Sequence, residues 1–267
     1  MDRCGLCSQE RELRDSHLLP AAVYKLAREP HRRDPNPVVI TRRRAGTSSR
    51  QVSDHFLCSE CENRFSRNGE RYVLGQCARP DGFALRDQLL LLPVFCDDQR
   101  FRVYEVSSIL GSRVEHYLYF AASVFWRAGA RSWTVDGDRI ARIELGSEYQ
   151  EQLRRYLLGQ GPFPINARLF VHVWSDADIH YTTVFPCSTR VEGVRRHKFC
   201  IPGILFVLFL GHDAPRLHDG GALNSRAGHF MWLCPWTNDS LFSGFGKLAM
   251  QGIQARQSRN SEKRRAA

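Results

Sequence analysis

A chain of 267 residues, 43% hydrophobic and 25% charged, has enough apolar material to bury a core. That excludes a wholly disordered polymer and leaves one large domain or a small module joined to a larger one. The formal charge of +10 favours a polyanionic partner, nucleic acid first among them, because basic side chains displace counterions from phosphates. Lys stands only at Lys25, Lys198, Lys247 and Lys263, so the excess is almost entirely Arg, a bias that GC-rich coding also produces.

Residues 1–14 are polar and already hold a cysteine pair, which is unlike a secretory signal, and a cytoplasmic, reducing setting is expected. There nine cysteines are no disulfide framework: close pairs bind metal and isolated ones are buried thiols. Cys4-Gly5-Leu6-Cys7 and Cys58-Ser59-Glu60-Cys61 each let two thiolates of one tight turn reach a single tetrahedral ion. Together they predict a structural zinc site with four sulfur ligands. Neither pair has the βαβ context of a thioredoxin-like redox motif. Residues 1–75 are too poor in apolar side chains for a core of their own and need such a metal to hold their loops. Cys77, Cys96, Cys187, Cys200 and Cys234 show no pairing and are expected as buried thiols.

The segment between the knuckles becomes a loop pinned at its base. It carries Arg28, Arg32, Arg33, Arg42, Arg43, Arg44 and Arg50, with Thr47, Ser48 and Ser49 interspersed. Forked arginine donors and neutral hydroxyls suit a nucleic-acid backbone, with Arg42, Arg43, Arg44 and Arg50 as its leading contacts; the alternative is a solvated basic loop.

Residues 76–253 read as an α+β domain of unassigned role. Apolar residues at helical spacing, including Tyr117, Phe120, Ala121, Val124 and Phe125, predict a core helix over 116–128. A second helix is expected from Ser147, where Ser147 and Gln150 form a capping box, to near Gly159. Residues 167–174, 179–185 and 199–210 read as strands. The apolar run 201–210 is half the ~20 residues of a membrane helix, so it is taken as a buried strand. The Gly220-Gly221 pair marks a turn, and residues 254–267 form a basic, flexible tail.

Ser16-His17-Leu18-Leu19-Pro20 lies between the knuckles, and the second knuckle continues through Leu57, Cys58, Cys61, Glu62, Asn63, Arg64 and Phe65. Over residues 4 to 75 this pattern resembles the HNH, or ββα-metal, nucleases, in the variant found in a group of bacterial proteins whose downstream helix also ends in Trp-Arg, here Trp126-Arg127. The resemblance implies an α+β fold opening with a treble-clef-like HNH zinc module, and metal-dependent hydrolysis of a DNA phosphodiester. His17 matches the general base and Glu62 the final metal-binding position. Glu62 would hold Mg or Mn, with Asp15, adjacent to Ser16, as the substitute for the other metal ligand. The chain departs from the pattern at Ser16, where the family has Asp or His, and at the middle Asn, whose place is taken by Asp54 or His55. Those departures favour the rival reading, a non-catalytic zinc module that binds nucleic acid or a partner protein.

Overall fold

The computed structural model describes residues 2–28, 36, 38–40, 45–135, 138–141, 143–176, 182–191 and 193–235. Arg42, Arg43 and Arg44, the beginning of the expected strand at 179–185 and the basic tail lie outside these residues.

The first knuckle sits between two short antiparallel strands, β1 (Asp2–Arg3) and β2 (Glu10–Arg11). β3 (Leu13–His17) follows, then α1 (Ala21–Leu26) and a small ribbon of β4 (Val38–Ile40) and β5 (Ala45–Thr47). The chain returns along β6 (Ser53–Cys58), antiparallel to β3, with Leu13 opposite Cys58 and His17 opposite Ser53. A bulge between Arg14 and Asp15 shifts this register by one residue.

From Cys58 the chain enters one long helical stretch, α2 (Ser59–Phe65), a π turn (Ser66–Glu70) and α3 (Arg71–Gly75). Its buried residues Cys61, Phe65, Gly69 and Val73 recur every fourth position. Such a stripe drifts around an α-helix of 3.6 residues per turn; the wider π turn in its middle takes up the drift and keeps one face inward. A Cβ at Gly69 would stand 2.8 Å from the backbone nitrogen of Phe120, so only glycine permits this approach.

α4 (Ala84–Leu89), β7 (Val94–Asp98), β8 (Phe101–Glu105) and α5 (Ser107–Leu110) lead into α6 (Val114–Ala130). The expected helix over 116–128 is therefore present and two residues longer at each end. α6 is buried on nearly every side from Tyr117 to Ala128, which is why its apolar positions exceed one stripe.

β9 (Trp133–Val135) and β10 (Asp138–Ala141) form a ribbon before α7 (Ser147–Leu157). The capping box does not form: Gly146 is the N-cap, Ser147 is already helical, and Gln150 donates instead to the Trp126 carbonyl at 3.0 Å. The stop is as expected. Gly159, with φ 73°, closes α7 by donating to Tyr156 at 2.9 Å, while Gln160 reaches back to Arg155 at 2.8 Å.

The remaining elements are β11 (Ala167–Trp174), β12 (Val184–Val191), β13 (Val194–Ile201), β14 (Ile204–Leu210), α8 (Ala214–His218) and β15 (Phe230–Cys234). They complete a seven-stranded sheet in the order β12-β13-β14-β11-β15-β8-β7, antiparallel except where β15 runs alongside β11. Residues 199–210 are thus not one strand: Pro202 and Gly203, at φ 82°, turn β13 into β14. α6 covers one face of the sheet, with the Phe120 ring 5.9 Å from Phe199 and 5.4 Å from Phe206. A second buried cluster that includes Phe170, Leu205, Phe209 and Ala214 lies on the other face. Burial on both faces explains the continuous apolar runs of β11 and β14.

Cys77, Cys200 and Cys234 are buried as expected, Cys187 is half-buried, and Cys96 is exposed because β7 is the outer strand of the sheet. Residues from both sides of position 75, from Cys4 and Phe65 to Phe199 and Met231, belong to one buried cluster. The α+β composition expected from sequence holds. No helix among the described residues is long and apolar enough to cross a membrane.

Candidate metal centre and its surroundings

Cys4 and Cys7 lie in the turn after β1, which is closed by Cys4 N–H to the Gln9 carbonyl and Ser8 N–H to the Cys4 carbonyl, each at 2.9 Å. Gly5 donates to the Phe56 carbonyl at 2.9 Å, tying this turn to β6. A Cβ on Gly5 would overlap the Phe56 ring at 2.1 Å, so the C-x-x-C turn needs its glycine. Cys58 ends β6 at the N-cap position of α2, and Cys61 stands in the first turn of that helix. The four sulfurs all lie within 4.8 Å of one another, and Cys7 Sγ is 3.9 Å from Cys58 Sγ.

Tetrahedral zinc–thiolate bonds of about 2.3 Å place sulfurs about 3.8 Å apart, whereas a disulfide holds them at about 2.05 Å. The cluster therefore fits a tetrahedral ion of zinc's size and ligand preference. Leu6, Leu57 and Phe65 wall it with fully buried side chains. The Cys61 thiol's hydrogen bond, aided by backbone N–H groups, holds the Cys4 thiol down to about 4; one of those donors is Cys58 N–H, 3.3 Å from Cys4 Sγ. The same hydrogen bond, together with burial, pushes Cys61 up. Binding of a metal ion here would displace the remaining thiol protons into solvent.

The residues suggested for catalysis surround the base of β3 and α2 without joining this cluster. Ser16 is fully buried, accepting from Leu57 N–H at 3.0 Å and donating to the Arg14 carbonyl at 3.2 Å. Its hydroxyl stitches the strands at the bulge. Asp15 and His17 alternate with it, exposed and half-buried respectively. The His17 ring lies 6.2 Å from that of Tyr24, and its carbonyl accepts from Arg127 Nη1 at 2.6 Å.

Of the two residues expected near the resembled motif's Asn, Asp54 is held by Arg131 in an ion pair, and His55 is exposed opposite Asp15. Glu62 is half-buried, and its Oε1 is buried with no hydrogen-bond partner. Arg50 is exposed, with its backbone N–H bonded to Ser48 Oγ at 3.1 Å. Among the described residues, the four cysteines are the only group of three or more His, Cys, Asp or Glu side chains at ligand distance. Asp15, His17 and Glu62 do not form a second one.

Sequence reasoning noted Arg127 only as part of a Trp-Arg pair. The structure gives it a position under the module: 1% exposed, it donates to the His17 carbonyl, pairs with Glu70, reaches Ser123 Oγ at 3.4 Å and lies 4.8 Å above the Phe65 ring. Only the tertiary fold brings these partners together; no local pattern signals them. Two surface concavities flank the helical stretch. One of about 440 Å³ is lined by Glu60, Asn63, Arg64, Ser66, Arg67 and Arg71. The other, about 310 Å³, opens between Asn68, His116, Tyr119 and Tyr156. Neither is lined by His17 or Glu62. Comparison with protein-family models, curated proteins and solved structures finds no match for the chain.

Proposed function

We propose that this chain is a nucleic-acid-binding protein built on a structural zinc centre, the ion held by Cys4, Cys7, Cys58 and Cys61. The observation that carries the proposal is the convergence of those four sulfurs at one end of the β3–β6 ladder, the two strands between which the arginine-bearing segment runs in sequence. Zinc there holds the strands that flank this segment, and Arg42, Arg43, Arg44 and Arg50 contact the phosphate backbone, preferably of DNA, with slight sequence preference. Free thiols at the site suit a cytoplasmic, reducing setting.

A second reading, a metal-dependent endonuclease of HNH type, is supported by one specific observation, the buried, unpartnered Oε1 of Glu62. A carboxylate oxygen without a donor suits a hard cation. The succession of β3, pinned loop, β6 and α2 also fits a ββα, treble-clef-like module. On this reading Glu62, with Asp15, would hold Mg or Mn, and such an ion would supply stabilisation of charge on a scissile phosphate. His17 would take the proton of the attacking water as general base. Its strand position is held by the bond from Arg127 to its carbonyl.

One set of measurements separates the readings. Duplex DNA binding by the full chain is expected to weaken steeply with salt, and replacing Arg42, Arg43 and Arg44 by Ala to flatten the slope by roughly 1 for each phosphate no longer neutralised. An unchanged slope removes the loop from the interface. Incubation of plasmid with Mg²⁺ or Mn²⁺ then tests cleavage: activity abolished in His17→Ala, with zinc content and binding intact, establishes the enzyme. Binding without cleavage leaves the zinc-stabilised binder.

A further inference from the structure

We infer that the concavity on the outer side of the 59–75 helical stretch is a second phosphate-contacting surface, built for a nucleic-acid backbone from residues other than the arginines of the 28–50 segment. The inference rests on the nucleic-acid reading above, but its residues lie on a helix anchored to the metal centre. Arg64, Arg67 and Arg71 line this concavity together with Asn63 and Ser66. They form the outward side of the stretch whose inward side is Cys61, Phe65, Gly69 and Val73.

The charge here is not neutralised from within. Elsewhere arginine is commonly paired with a carboxylate, as at Arg127, Arg131, Arg154 and Arg168. At the concavity the one acidic lining residue, Glu60, is already engaged by Arg11. Arg64 donates Nη1 to the Leu158 carbonyl at 3.3 Å, a neutral acceptor that fixes the side chain and leaves its charge intact. Arg67 and Arg71 are exposed, and neither has a carboxylate partner among the described residues. Three guanidinium groups around one depression repel one another unless an anion is shared between them.

The lining also selects the kind of anion. Guanidinium forks match phosphate oxygens, and the Asn63 amide and Ser66 hydroxyl are the neutral donors that accompany them in backbone contacts. At about 440 Å³ the depression has the volume of a small-ligand site, but it is open and lacks the apolar walls that enclose such ligands. A polymer lying across the surface with a phosphate seated between the arginines satisfies both features. Because Cys58 caps α2 and Cys61 lies in its first turn, this surface keeps a fixed relation to the zinc centre.

The test uses the full-length, zinc-loaded chain and a fluorescent DNA duplex, with anisotropy recorded across salt concentrations. Arg67→Ala with Arg71→Ala is expected to reduce the log–log salt slope by about 2 and to weaken binding at least tenfold near 0.1 M salt. Arg67→Lys with Arg71→Lys should retain most of the slope. Arg216→Ala, a distant exposed position, should leave it unchanged. Zinc content and far-ultraviolet circular dichroism of each variant exclude unfolding as the cause. If the wild type binds and the double Ala variant keeps its slope, the inference is overturned while the nucleic-acid reading stands. If the wild type binds neither duplex nor single strand at low salt, both fall. Competition by polyglutamate as effective as by DNA of equal charge would overturn the nucleic-acid assignment in favour of an acidic protein partner.

Discussion

Arg127 shows how much a single side chain contributes to the module. A buried guanidinium needs a counter-charge and acceptors: Glu70 supplies the charge, the His17 carbonyl a hydrogen bond and Phe65 an aromatic face, while Nε is buried without a hydrogen-bond partner. Arg127→Met keeps the volume but leaves the largely buried Glu70 carboxylate unpaired, and we expect a drop of about 3 kcal/mol in urea unfolding. Arg127→Met combined with Glu70→Gln should recover part of it; strict additivity of the two effects would show that the residues are not coupled. Residue-scale legibility is uneven for the same reason. The zinc ligands could be read from spacing because each C-x-x-C pair is a local device. Ser16 could not be understood that way: only the register of β3 against β6 reveals that its hydroxyl is used by the Leu57 backbone.

At the scale of elements, helix and strand positions were read best where burial dictates composition. β11 coincides with the expected 167–174, and α6 extends its prediction by one half-turn at each end. The capping box at Ser147 failed because Gln150 had a tertiary acceptor in the Trp126 carbonyl, which outcompeted a local bond. The π turn was not foreseen, although the four-residue spacing of Cys61, Phe65, Gly69 and Val73 carries it, because its need arises only when the 59–75 stretch packs against α6. Gly69 is its signature and offers a test with opposing terms. Gly69→Ala gains about 1 kcal/mol of helix propensity, yet its methyl would sit 2.8 Å from the Phe120 nitrogen, between two packed backbones. Backbone cannot give way as a flexible side chain does, so overpacking is expected to win and to lower stability by a net 1 to 3 kcal/mol. A thermal midpoint raised by the substitution would refute this account of the close approach.

For the whole molecule, metal and core are one problem. The Arg154 guanidinium donates to the Leu6 carbonyl at 3.0 Å, the Phe56 and Trp126 rings stack at 5.5 Å, and the buried cluster is continuous from the knuckles to the sheet. Ligand binding to the folded state stabilises everything that unfolds with it. We expect about one zinc per chain by elemental analysis, and chelation to lower the unfolding midpoint of the sheet as well as of the first 75 residues. Cys58→Ser should reduce the folded yield. Zinc-free protein with an unchanged midpoint would separate the metal from the fold. From sequence, the continuity of this cluster was not visible, because the low apolar content of the first 75 residues says what they lack and not where they find it.

The bond from Arg127 to the His17 carbonyl also has a consequence in time. A ribosome adding about 5–20 residues per second finishes the fourth cysteine ligand several seconds before it reaches Trp126 and Arg127, and longer still before Arg154. During that interval the nascent chain owns all four thiols but none of the contacts that α6 and α7 later make with the first 75 residues. Zinc supplied during translation should therefore give more folded product than the same zinc added to the finished, reduced chain. A cell-free synthesis with early or late addition of the metal measures that difference directly.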